Sequence, residues 1–171
     1  MSDGCRMFLD CIPSTTTHHH KRIVKRGKFA SLADKPELVA AKATLDALLL
    51  PHQRPTITGP VVLSVVFTWP WLKGARKRDI AKGRIPHTSR PDCSNLVKTL
   101  EDRLVQLKFI EDDNAVVELH VAKWWGNGAG IEIEIRPKLE STSFSANGRY
   151  LHAGELFESE VAGPQSAHLD V

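Results

Sequence analysis

Residues 115–137 alternate apolar and polar side chains over two runs, AVVELHVAKWW and IEIEIRP, joined by the glycine-rich turn GNGAG. Alternation of period two sends every second side chain to the same face, so each run predicts a strand with one buried side. Val117, Leu119 and Val121 share a face of the first run. A short glycine-rich link between two such runs predicts that they close on each other as an antiparallel hairpin. A third run, VVLSVVFTW at 61–69, is β-branched and apolar on both faces, as expected of a largely buried strand. The hairpin is expected beside it.

Two stretches have helical spacing instead. Asp34 is placed as an N-cap, with Pro36 in the first turn and Glu37 completing a capping box. Leu38, Ala41, Leu45, Leu48 and Leu49 follow, and Pro51 marks the end. Leu96, Leu100, Leu104 and Leu107, flanked by Val97 and Val105, predict a second, amphipathic helix capped from among Asp92, Ser94 and Asn95. MFLDCI at 7–12 is expected to be a short first strand, and RIVKRGKFAS a small hairpin turning at Gly27. The three consecutive histidines at 18–20 are read as part of a mobile basic loop, since neighbours in an extended chain face opposite ways and converge poorly on one ion. Residues 72–91 have no apolar period and are read as a long mobile loop. Trp69 and Trp71 either pack at the strand end or stack on bases. The fold expected is α+β: a mixed or antiparallel sheet with a C-terminal hairpin, packed against two helices.

A chain of 171 residues can bury one real core. One domain over 1–137 is expected, followed by a looser extension over 138–171 rich in Ser, Ala and Gly. No segment has the ~20 continuous apolar residues that cross a bilayer, and the first residues lack a signal-type apolar run. No membrane association and a cytoplasmic location are expected. Three cysteines without a CxxC pair argue against a disulfide framework and a cysteine zinc site. Charge is uneven. The net is +3, yet from Lys138 onward two bases face five acids, which leaves +6 on residues 1–137. HHHKRIVKRGK at 18–28 and KGARKRDIAKGRIPHTSR at 73–90 hold much of it. A basic body suits a polyanion, of which nucleic acid is the commonest; two solvated loops are the alternative.

Acids bracket the second helix: Asp92 just before it, Asp112 and Asp113 just after. Carboxylates gathered without bases repel one another, and a divalent cation removes that repulsion; oxygen donors suit Mg²⁺ or Mn²⁺. Such an ion beside a basic surface is suited to phosphodiester hydrolysis. Lys98 is either a donor to developing phosphoryl charge or an ordinary i, i+4 partner of Asp102. Asp92 is either a metal ligand or a helix cap, and Asp112 and Asp113 are either ligands or a polar turn.

RPDCSNLVK at 90–98, then EDRL, FIEDDNAVVELHVAKWW and the closing IEIEI, resemble the RusA family of Holliday-junction resolvases, Mg²⁺-dependent endodeoxyribonucleases of bacteria and their phages. The family pattern is Asp-x-Asp-Asn-Leu-x-Lys at a helix start, with a paired Asp-Asp about twenty residues later opening a Val-rich strand. Asp92, Asn95, Leu96 and Lys98 match the first element, Asp112 and Asp113 the second, and Asp102 a further acidic position of the helix. The resemblance covers residues 7–137. It implies a homodimeric domain that acts on a four-way DNA junction, with Asp92 and Asp113 as metal ligands, Asp112 assisting and Lys98 stabilising the transition state. Mg²⁺ is the implied cofactor and Mn²⁺ a substitute. Phosphate contacts are expected from Lys21, Arg22, Arg76, Lys77, Arg78, Lys82, Arg84 and Arg90. One position departs: the second acid of Asp-x-Asp is Ser94, a neutral and weaker ligand. Asp102, Glu111 or a water is then needed to fill the place, or the site needs more metal, or the chain binds branched DNA and cuts it weakly or not at all. A basic protein-interaction domain is the remaining alternative.

Overall fold

The computed structural model describes residues 4–138; from residue 139 on, the expected C-terminal extension lies outside them. Seven strands and three helices follow in the order β1 (Cys5–Leu9), β2 (Lys21–Arg26), β3 (Phe29–Asp34), α1 (Pro36–Leu49), β4 (Val61–Pro70), α2 (Lys77–Ile80), β5 (Arg84–Pro86), α3 (Cys93–Gln106), β6 (Val116–Gly126) and β7 (Gly130–Pro137). The class is α+β, as expected. One mixed sheet runs β1-β7-β4-β6-β5, and β2 and β3 form the separate small hairpin, turning at Gly27 with φ +61°.

The large expected hairpin does not form. β4 lies between β6 and β7, pairing parallel with the first and antiparallel with the second. The two flanking strands are therefore about two strand spacings apart, roughly 10 Å, which a three-residue link can span with about 13 Å of reach. Alternation specifies which side chains share a face. It does not specify which strand is the neighbour, and the strand that is apolar on both faces takes the centre. β6 also carries an irregularity: Val61 faces Val116 while Val62 faces Glu118, so Val117 drops out of the ladder and stays exposed.

One face of the sheet makes the core. Cys5, Met7 and Leu9 of β1, Ile131, Ile133 and Ile135 of β7, and Leu63, Val65, Phe67 and Trp69 of β4 are buried there. Leu96, Val97, Leu100 and Leu104 of α3 and Leu49 of α1 cover them. Aligned Ile, Leu and Val side chains at about 2 kcal/mol each explain why the leucine stripe pins α3 to the sheet. α1 and α3 are joined by Arg103, buried, whose Nε and a terminal nitrogen donate to both carboxylate oxygens of Asp46 at 2.6 and 2.7 Å.

Three smaller expectations change. Asp34 ends β3 and does not cap α1; its carboxylate accepts from Lys42 at 2.7 Å, and the cap position falls to Lys35 without a side-chain bond. β1 starts two residues earlier than read, because Cys5 pairs with Ile135. Residues 72–91 are ordered rather than a continuous loop: α2 forms one turn, and β5 pairs with the edge of β6 through Ile85 and Trp125. These elements are too short to show a period.

Candidate active site

Asp92 occupies the cap position of α3, but its side chain makes no cap bond; only its backbone carbonyl is engaged, by Leu96 N–H. The carboxylate is exposed at the N-terminus of the helix. It lines a depression of about 340 Å³ with Thr15, Thr17, His20, Arg90 and Asn95. The histidine loop is thus folded against the helix start. Thr17 and His20 are tied by backbone and ring bonds of 2.9 and 3.1 Å, and Nε2 of His19 lies 3.1 Å from Oδ1 of Asn95. Ser94 is exposed on the first turn.

Six residues along α3 from Asp92, a rise of about 9 Å, Lys98 donates to Oδ2 of Asp113 at 2.6 Å and lies 3.3 Å from Oδ1 of Asp102. Asp113 opens the 3-10 turn Asp113–Ala115 that feeds β6. The hydrogen bond from Lys98 holds the Asp113 carboxyl below the ordinary carboxylate range, with Asp112 and the lysine charge adding to it. Reciprocally, the bond to Asp113 raises Lys98. Both shifts favour the charged pair. Asp112 accepts from Asn114 N–H at 3.1 Å, which shapes the turn. Glu101, not singled out in the sequence, belongs to the same acidic group: burial raises its carboxyl, Lys98 opposes this, and the charges of Asp113 and Asp102 raise it further. Its signal was the i, i+3 spacing from Lys98.

Glu111 points away from this group, its Oε2 accepting from Gly59 N–H at 3.2 Å. Asp102 is the acid that joins Lys98 and Asp113. Among the described residues, no three His, Cys, Asp or Glu side chains stand in an arrangement that would hold a metal by themselves. Asp92, left uncapped, and Asp113, kept ionised beside an ammonium, offer carboxylate oxygens of the kind a hard divalent ion takes. Such ions take one or two carboxylates and complete their shell with water and substrate phosphate.

The expected phosphate contacts divide. Lys21 and Arg22 are exposed on β2, Arg76, Lys77 and Arg78 at α2, and Arg90 beside Asp92. Lys82 is exposed but lies 3.4 Å from Asp79, and the Arg84 guanidinium sits 4.6 Å over the Trp124 ring. Trp69 is buried and donates to the Pro13 carbonyl at 2.9 Å, so it packs; Trp71 is half-buried and donates to Asn127. No helix among the described residues is long and apolar enough to cross a membrane.

The family model described as endodeoxyribonuclease RusA matches residues 13–136, which include both acidic elements. An uncharacterized protein, YqaN, of Bacillus subtilis (strain 168) is 35% identical over 97 residues, 53% of this chain and 68% of that protein. The crossover junction endodeoxyribonuclease rusA of Lactococcus phage r1t is 44% identical over 48 residues, 28% of this chain and 37% of the phage protein.

Proposed function

Because the chain belongs to the RusA endodeoxyribonuclease family, we propose that it is a structure-selective nuclease that resolves four-way DNA junctions with a divalent cation, Mg²⁺ or in its place Mn²⁺. The observation that carries the reading is Lys98, an ammonium held 2.6 Å from one half-buried acid, Asp113, and 3.3 Å from another, Asp102, on the helix that Asp92 begins. Asp92 and Asp113 would hold the ion, with Asp112 and, weakly, the Ser94 hydroxyl assisting. A divalent ion, when bound, supplies Lewis-acid polarisation of the scissile phosphate and acidifies water. Lys98 donates to charge developing on the phosphoryl oxygens, a role worth roughly a hundredfold or more in rate for one well-aimed donor. Asp102 keeps that ammonium in place. Asn95 and His19 fix the start of α3 relative to the loop at 15–20.

Exposed Lys21, Arg22, Arg76, Lys77, Arg78 and Arg90, with Lys82 and Arg84, supply salt-sensitive phosphate contacts that position the junction without reading sequence. A homodimer matches the substrate: a four-way junction offers two equivalent strands, and a two-fold protein offers two sites. The second reading, a branched-DNA-binding protein with weak cleavage, is favoured by Ser94 alone. A labelled four-way junction incubated with the protein over a range of Mg²⁺ and Mn²⁺ concentrations tests both. Paired cuts at the crossover support resolution. Retention in a gel without cuts at any concentration supports the second reading. Equal binding of junction and linear duplex refutes both.

A further inference from the structure

Lys123 breaks the pattern of its own strand. In register it faces Phe67, on the core side of the sheet, between Val121 and Trp125. An apolar residue is expected there, since an ammonium on a core-facing position needs strong partners. Its partners are two backbone carbonyls. Nζ donates to Ser89 O at 2.6 Å and to Pro91 O at 2.7 Å, on either side of Arg90 and directly before Asp92. No carboxylate pairs with it among the described residues. Its own carbonyl accepts from His87 N–H at 3.0 Å, extending the β5 ladder by one residue. The His87 ring, buried, lies between Trp69 and Trp125, with centroids 4.6 and 4.1 Å away. Residues 87–91 are therefore fastened to β6 at three points, and two of those points are atoms of Lys123.

We infer that Lys123 is a positioning residue for the nuclease site: it clamps the carbonyls that lead into α3 and so fixes where Asp92 presents its carboxylate and Arg90 its guanidinium. Charge-assisted bonds to carbonyls are stronger than neutral ones. The Asp92 carboxylate makes no cap bond, and only its backbone carbonyl is tied to the helix, by Leu96 N–H, so the placement of the carboxylate depends on the chain that precedes it. This inference rests on the nuclease reading for its consequence and on hydrogen-bond geometry for its cause, and the two can be measured apart.

Lys123→Met keeps the apolar stem and removes the donors. Amide hydrogen exchange is expected to accelerate about tenfold or more at residues 87–93 while β4 keeps its protection. Junction cleavage is expected to lose about tenfold to a hundredfold in kcat, the range for a displaced catalytic group, with KM for the junction within about threefold of wild type. Lys123→Arg is expected to recover part of the rate. Unchanged protection at 87–93, an unchanged kcat, or a loss confined to KM overturns the inference. If Lys123→Met fails to fold, Lys123→Gln, which keeps a shorter, uncharged amide donor group, decides: intermediate losses in both readouts support the clamp, and full protection or full rate overturns it. A wild-type chain that cuts no junction refutes the nuclease reading, and the exchange readout still decides whether Lys123 holds the segment.

Discussion

At the scale of single residues, the site is defined by which polar atoms are already engaged. Asp92 could have spent its carboxylate on capping, and does not. Asp112 shapes its turn, Glu111 holds Gly59, and Asp113 is held by Lys98. Ser94 is the position where one charge is missing relative to the family pattern, and Ser94→Asp is expected to lower the Mg²⁺ concentration at half-maximal cleavage, read from a metal titration at fixed junction concentration. A raised or unchanged requirement would show that Ser94 lies outside the ligand set. His87 gives a prediction of pH dependence. Burial pushes its imidazole below the ordinary value of 6.5, with Lys123 adding to the effect and the backbone of His87 and Ser89 opposing it. The unfolded chain then binds a proton that the folded chain refuses, so stability contributed by this residue is complete above pH 6.5 and is lost as pH falls below that value. His87→Phe is expected to flatten the fall in melting temperature between pH 7 and about pH 5; an identical slope would contradict this.

At the scale of elements, α3 organises everything else. Its leucine face is buried, its first turn carries Asp92 and Ser94, and Lys98 reaches the turn before β6. The same helix is fastened to α1 by Arg103 and Asp46. Arg103→Met should cost about 2–4 kcal/mol in urea unfolding, because it leaves the Asp46 carboxylate without its partner; a cost under ~0.5 kcal/mol would mean the pair is dispensable. α3 was legible in the sequence because its apolar period runs from Leu96 to Leu107, about three turns. The partners of β6 were not, since alternation assigns faces and leaves neighbours open, and β4 enters between two runs that only a short turn separates. Lys123 had a signal that went unread: it falls on the face that Val121 assigns to the core. The order in residues 72–91 had none, because α2 and β5 are shorter than any period.

For the molecule as a whole, the positive balance lies in the part of the chain that holds the site. The exposed bases at α2 are separated in sequence from the acids; in the proposed function they would provide the phosphate contacts that a branched substrate requires. Replacing Arg76, Lys77 and Arg78 together by Gln is expected to weaken junction and duplex binding alike and to reduce the slope of log Kd against log salt by about 2–3. An unchanged slope would place the DNA elsewhere.

In the proposed function Asp92 and Asp113 serve one ion and one phosphate. This shared role is tested most directly by single-turnover cleavage of a four-way junction in saturating Mg²⁺ by Asp92→Asn and Asp113→Asn, with binding measured on the same samples. Each variant is expected to bind the junction and leave it uncut. Full cleavage by either variant would contradict the shared role.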